Sequence, residues 1–171
     1  MKKIISAALI SAAFLTSSFA YSNNEKPGIP VNKEIPISSS FQRIKVGSNL
    51  QLVLVQDPNK STIVITGNEK SVQAVNISID KGLLSITSKK YLKNKQVKIY
   101  VPVTTLTSLE LASYASATTE GFVVLNDFVV LVHEGSKVTL HVLGNFEIEP
   151  AEGCDVVYEK YETAKVVFIK R

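Results

Sequence analysis

LASYASATTEGFVVLNDFVVLVHEGSKVTLHVLGNFEIEPAEGCDV, residues Leu111 to Val156, decides the fold. Three segments within it can be laid over one another: Leu111 to Thr118 (LASYASAT), Leu131 to Val138 (LVHEGSKV) and Ile148 to Val156 (IEPAEGCDV). Each leaves an apolar strand, crosses a turn holding a small residue, and enters another strand. The alignment puts Ala115-Ser116, Gly135-Ser136 and Gly153-Cys154 at equivalent corners, about twenty residues apart. A second set of corners falls at Glu120-Gly121, Leu143-Gly144-Asn145 and Glu162-Thr163. Two short strands and two corners per repeat are what a β-solenoid coil needs, with inward apolar positions stacking into one continuous core. Small residues suit such corners because the chain turns sharply there, often through positive φ. The expectation is an all-β fold with a right-handed β-solenoid-like second half. An ordinary antiparallel sandwich with similarly spaced turns is the alternative.

Upstream of this stretch, strands alternate with turn signals. Phe41, Ile44 and Val46 open the first, and Asn49 to Gln56 (NLQLVLVQ) places Leu50, Leu52 and Leu54 on one face. Asp57-Pro58-Asn59-Lys60 turns the chain into a return strand, Ser61 to Thr66. Glu69 to Val75 has room for one short helical turn. Asn76 to Asp80 and Leu83 to Ser88 flank Lys81-Gly82, whose glycine supplies the positive φ of a tight hairpin. Gln96 to Val103 is a further strand. No window of twelve residues keeps a helical period, which excludes an α-rich fold.

The order of these elements resembles a known family. It runs Phe41-x-x-Ile44-x-Val46-Gly47, Leu52-Val53-Leu54-Val55-Gln56, Ile63-x-Ile65-x-Gly67-Asn68-Glu69, and Val75-x-Ile77 leading to Gly82-x-Leu84-x-Ile86. Val97-x-Ile99-x-Val101-Pro102 and Leu106-x-x-Leu109-x-Leu111-Ala112-Ser113 follow. Together they resemble the head GIN domain, the family labelled auto-transporter adhesin, from Phe41 to the C-terminus. The resemblance implies a β-rich fold carried by secreted or envelope proteins, with adhesion as the role. It brings no catalytic or ligand-binding residues with it. The chain departs from the family pattern in its corners, where Gly-Ser pairs are reduced to Ala115-Ser116, Gly135-Ser136 and Gly153-Cys154.

The N-terminus reads as an export signal. Lys2 and Lys3 precede an apolar stretch from Ile4 to Leu15, and Ser18 and Ala20 fit the small-x-small rule for cleavage after Ala20. That run is shorter than the ~20 residues that span a bilayer, and no later one is longer. No cysteine follows the cleavage point to carry a lipid. Residues 21–40 hold Pro27, Pro30, Pro36 and three consecutive serines at 38–40, and read as a linker before a single domain over 41–171. Within that domain, 41–105 is the hairpin-rich part and 106–171 the coils. The expected location is the periplasm, the outer surface or the medium.

One cysteine, Cys154, excludes an internal disulfide, so stability must come from the core. The net charge of +4 falls to +2 without Lys2 and Lys3, so the basic pI is no argument for nucleic acid, and none is expected as a partner. His133, Glu134, Ser136 and Cys154 form the best cluster for nucleophilic chemistry, because an imidazole can deprotonate a thiol and a carboxylate can orient it. Solenoid corners are convex, however, and offer a substrate no pocket. His133 and His141 lack metal-ligand spacing, and Asp127, Glu134 and Asp155 lack the glycine-aspartate repeat of Ca²⁺-binding coils. No catalytic residue, cofactor or metal site is therefore expected. Glu147, Glu149 and Glu152 have no aromatic subsites between them for glycoside hydrolysis, though Tyr158 and Tyr161 are residue types that can contact sugar. Lys89, Lys90, Lys93 and Lys95 form the densest basic run. They read as a contact for an anionic partner, or as lysines protecting strand edges.

These readings favour an exported, non-enzymatic binding module, with adhesion to an envelope or host surface component (protein or glycan) as its role. A periplasmic assembly scaffold is the second reading, and a hydrolase at the Cys154 corner the third.

Overall fold

The computed structural model describes residues 30–92, 97–160 and 164–169. The signal region and the first part of the expected linker, residues 1–29, lie outside the described residues. Among the described residues the chain forms strands and one short helix. The first half holds β1 (Val31–Pro36), β2 (Arg43–Val46), β3 (Gln51–Val55), β4 (Thr62–Gly67), α1 (Glu69–Ala74), β5 (Val75–Asp80), β6 (Leu83–Ser88) and β7 (Val97–Pro102). The second holds β8 (Ser108–Leu111), β9 (Ser116–Glu120), β10 (Val123–Val124), β11 (Phe128–Val132) and β12 (Lys137–Leu143). It ends with β13 (Phe146–Pro150), β14 (Asp155–Lys160) and β15 (Val166–Phe168).

These strands make two mixed sheets. The first runs β1-β4-β7-β3-β9-β12-β10, with β14 also pairing β12, and the second β15-β13-β11-β8-β2-β6-β5. From β11 onward successive strands cross from one sheet to the other, rung by rung, and each pairs in parallel with its neighbours. Ser108 to Leu111 pairs with Val129 to Val132, and Phe128 to Val132 pairs in turn with Phe146 to Pro150 of β13. In the first sheet Lys137 sits opposite both Ser116 and Asp155. The pairing β2–β8 and β3–β9 shows that β2 and β3 form a rung of the same kind. β6 and β7 form another on its far side. Antiparallel pairing is confined to β1, β4 and β5 with their neighbours.

Alternation explains the core. In β12, Val138, Leu140 and Val142 are buried while Lys137, Thr139 and His141 face out. The period of two puts every other residue on the inner face. Inner positions of both sheets join one hydrophobic cluster, filled by Ile44, Leu52, Ile86, Leu109, Phe128 and Phe146 among others. Helix α1 sits beside β1, β4 and β5. Asn68 caps it, its side-chain oxygen accepting from the Ser71 amide at 2.8 Å.

Between the sheets, four turns repeat one conformation. Asn49 (φ 61°), Tyr114 (φ 63°), Gly135 (φ 67°) and Gly153 (φ 72°) are left-handed and stack at equivalent positions. Backbone bonds continue through the turns, from Ser116 N to Leu50 O, Lys137 N to Ala115 O and Asp155 N to Ser136 O, at 2.9–3.0 Å. The register corrects the sequence alignment by one residue: Tyr114-Ala115, not Ala115-Ser116, is opposite Gly135-Ser136. The turn demands a left-handed residue, and here a tyrosine fills the place that glycine holds later, so matching small residues slipped.

Three more expectations change. Val31–Pro36, read as linker, is an edge strand, with Ile35 opposite Ile63. Its two flanking prolines hid the strand, yet an edge position tolerates them. β4 does not return along β3, because β7 lies between them. Glu120-Gly121 is not a corner. Thr118 and Val123 pair with Thr139 and Val142, so two extra residues form a bulge between β9 and β10. The bulge leaves the His141 amide without a ladder carbonyl, and the buried Thr119 hydroxyl accepts from it at 3.0 Å. The corner itself is Leu125 to Asp127. Glu162-Thr163 lies outside the described residues.

Candidate binding surfaces

The Cys154 corner is built for structure. Register places Cys154 beside Ser136, as the repeat implies. The Ser136 side chain is buried and donates to the Ala112 carbonyl at 2.9 Å. Cys154, partly buried, donates to the His133 carbonyl at 3.1 Å. Each side chain thus ties its own turn to the preceding one. The His133 imidazole is engaged elsewhere, with Nε2 3.4 Å from Glu110 Oε1. Glu134 is exposed on the turn. The four residues are neighbours in space, but the thiol bonds a backbone carbonyl.

Glu110 is the centre of a charged line on the outer face of the second sheet. Lys45 Nζ donates to it at 2.8 Å, from the adjacent strand β2. That bond, with the charge of Lys45 and the contact from His133, holds the Glu110 carboxyl below its ordinary value, against the upward push of partial burial. A carboxyl lowered in the fold stabilises it above the unfolded pKa of about 4.3 and loses that contribution as pH falls through the folded value. Glu110→Gln should therefore lower stability at neutral and alkaline pH, and its deficit against the parent protein should shrink as pH falls below about 4.5, which flattens the acid limb. An unchanged acid limb in urea titrations would remove Glu110 as a contributor.

The other acidic and histidine candidates are dispersed. His141 faces out from the first sheet, with Nε2 3.8 Å from Glu159 and its ring 5.7 Å from that of Phe122 on the bulge. Asp155 pairs with Lys137 at 2.6 Å. Among the described residues no three His, Cys, Asp or Glu side chains gather as metal ligands would. Glu147 and Glu149 face outward on β13, and Glu152 stands on the following turn. Tyr158 has its ring edge-on to buried Phe146 at 5.8 Å, closing the last layer of the core. Tyr161 lies outside the described residues.

Lys89 and Lys90 are exposed just after β6, where Ser88 Oγ donates to the Lys90 carbonyl. Lys93 and Lys95 lie outside the described residues. The segment carrying them links β6 to β7, which belong to different sheets. Lys89 and Lys90 follow the end of β6, on the same flank as the four left-handed turns.

The opposite flank, where strands of the first sheet pass to the second, is hollowed. A depression of about 340 Å³ lies between Ser38 to Phe41, Asp57 to Ser61 and Pro102 to Thr105. A second, about 320 Å³, shares Thr104 and Thr105 and reaches Gln56, Val124 and Asn126. A third, about 420 Å³, begins at Asp127 and includes Asn145, Glu147 and Lys165. The composition gave no sign of this flank, because its residues come from six separate links and only the register brings them into one row. On the outer face of the first sheet, Val55, Val64, Tyr100, Pro102 and Glu120 line a shallower hollow of about 240 Å³.

Comparison with known proteins agrees with this architecture. A putative adhesin from Parabacteroides distasonis matches with a TM-score of 0.67 and 15% identity, over 84% of this chain and 66% of that one. A putative lipid binding protein from the same species matches with a TM-score of 0.59 and 18% identity, over 84% and 67%. A putative adhesin from Bacteroides fragilis gives 0.51 and 11%, over 84% and 99%. The likeness is one of fold, and this chain spans about two thirds of the length of the first two. No curated protein matches the chain. No described helix is long and apolar enough to cross a membrane. The family model described as "Putative auto-transporter adhesin, head GIN domain" matches residues 40–159, and the chain belongs to that family.

Proposed function

We propose that the chain is an exported, non-enzymatic binding module whose role is adhesion to a surface component. Its signal-like N-terminus and its family support export. The stacked parallel rungs support a solenoid-like reading of residues 106–171, giving a stiff surface where many shallow contacts add up. One observation carries the non-enzymatic reading: the hydroxyl of Ser136 and the thiol of Cys154, its best nucleophile candidates, are each bonded to a backbone carbonyl of the neighbouring turn. The domain runs over 41–171, with β1 as an added edge strand. Lys89, Lys90, Lys93 and Lys95 serve as a secondary contact for anionic groups.

The test is binding of the fluorescently labelled full protein to whole bacterial and epithelial cells, measured by flow cytometry. Saturable binding, equal in Cys154→Ser, is the expected result. Absence of binding to both cell types would sink the adhesion reading, and loss of binding in Cys154→Ser alone would implicate the corner. Cys154→Ser should itself cost no more than about 1 kcal/mol in urea unfolding, since a hydroxyl can make the same bond.

A further inference from the structure

We infer that the hollowed flank is a binding groove for a neutral glycan chain; this deepens the binding reading above and rests on it. Three depressions follow one another along this flank. The first two share Thr104 and Thr105, and the third begins at Asp127, next in the chain to Asn126 of the second. The links that line them belong to successive rungs, spaced about 5 Å apart, so the groove runs along the stack and suits a chain rather than a single sugar.

The lining chemistry selects the ligand class. The hydroxyls of Ser38, Ser39, Ser40, Thr104 and Thr105 are exposed, and none hydrogen-bonds another described residue. Each is both donor and acceptor, as a sugar hydroxyl is, so either partner can adapt its proton. Gln56 adds a held group: its Oε1 accepts from the Val124 amide at 2.7 Å, which fixes the side chain and leaves its amide nitrogen as a donor. Phe41, half-buried in the first hollow, offers apolar surface to the C–H face of a ring.

Charge argues against the other long ligands. The first hollow has Asp57 and Lys60 paired at 3.5 Å, the second has no charged residue, and the third has Asp127 and Glu147 against Lys165. An anionic polymer would meet three carboxylates there. An extended peptide would need an open strand edge to pair with, and this flank is made of interstrand links.

The test uses the full chain with cellohexaose, maltohexaose, mannohexaose and chitohexaose as neutral probes and an oligogalacturonate hexamer as the anionic one, by titration calorimetry. At least one neutral hexamer should bind, more tightly than its own disaccharide. The near-isosteric Thr104→Val with Thr105→Val should weaken it about tenfold or more, the worth of one or two hydrogen bonds, without lowering the melting temperature. Val157→Thr, on the outer face of the first sheet, should leave it unchanged. Failure of all four neutral hexamers overturns the groove, as does binding of the anionic hexamer alone or binding indifferent to the threonine pair. If cell binding persists while every neutral hexamer fails, the groove falls and the adhesion reading stands. Loss of cell binding as well would remove both.

Discussion

Gly144→Ala will destabilise the fold by on the order of 4 kcal/mol, an exceptional cost for one methyl group. Gly144 has φ 127°, a backbone conformation that residues with a Cβ rarely adopt. A Cβ built there would run into the Leu125 carbonyl oxygen, well inside van der Waals contact, and would lie 2.8 Å from Asn126 Oδ1. Both obstacles belong to the neighbouring rung, which the Leu125 amide ties to the Leu143 carbonyl at 3.1 Å. The substitution must therefore either break that bond or push two rungs apart. Gly153 is the control, also left-handed at φ 72° but with nothing within 4 Å of a new Cβ. Gly153→Ala should cost only about 1–2 kcal/mol, the local penalty of the left-handed region. Equal losses for the two glycines in urea unfolding would show that rung contact at Gly144 is not the cause.

Phe146→Ala comes next in size, at about 4 kcal/mol. Phe146 is fully buried at 1% exposure and lies opposite Phe128 on the adjacent rung. Val166 lies opposite it on the other side, and the Phe146 ring meets that of Tyr158 in a T-shaped contact at 5.8 Å. Truncation removes the transfer energy of the ring and leaves a cavity between two layers that backbone ladders hold in place. Phe146→Leu should cost less than half as much, because it keeps most of the packing. Phe168→Ala, on a ring that is half exposed, should cost within about 1 kcal/mol. A Phe146→Ala variant as stable as Phe168→Ala would contradict the single continuous core.

The sequence carried the strands well where apolar and polar residues alternate, as in β3, β6 and β12. It carried the repeat too, through Gly135-Ser136 and Gly153-Cys154. It misplaced the first copy by one residue because Tyr114 holds a left-handed turn without being glycine, and φ is not written in composition. It passed over β1, since prolines flank that strand and only its partner β4 reveals the pairing. The bulge at Gly121 looked like a corner because a lone glycine marks both. The Cys154 cluster was legible as neighbours in space. What the thiol bonds was not, because the acceptor is a backbone carbonyl that every residue possesses. The hydroxyl flank was hidden for a third reason: Ser38 to Ser40, Gln56, Thr104 and Asn126 are far apart in the chain, and each alone is an ordinary loop residue.

The measurement that bears most directly on the central claim is protease accessibility of the protein in intact cells, compared with cells whose outer membrane has been opened. An adhesive module must present its surface outside, so digestion in intact cells, or recovery of the protein from the medium, is the predicted result. Full protection until the outer membrane is opened would contradict adhesion and place its partners in the periplasm.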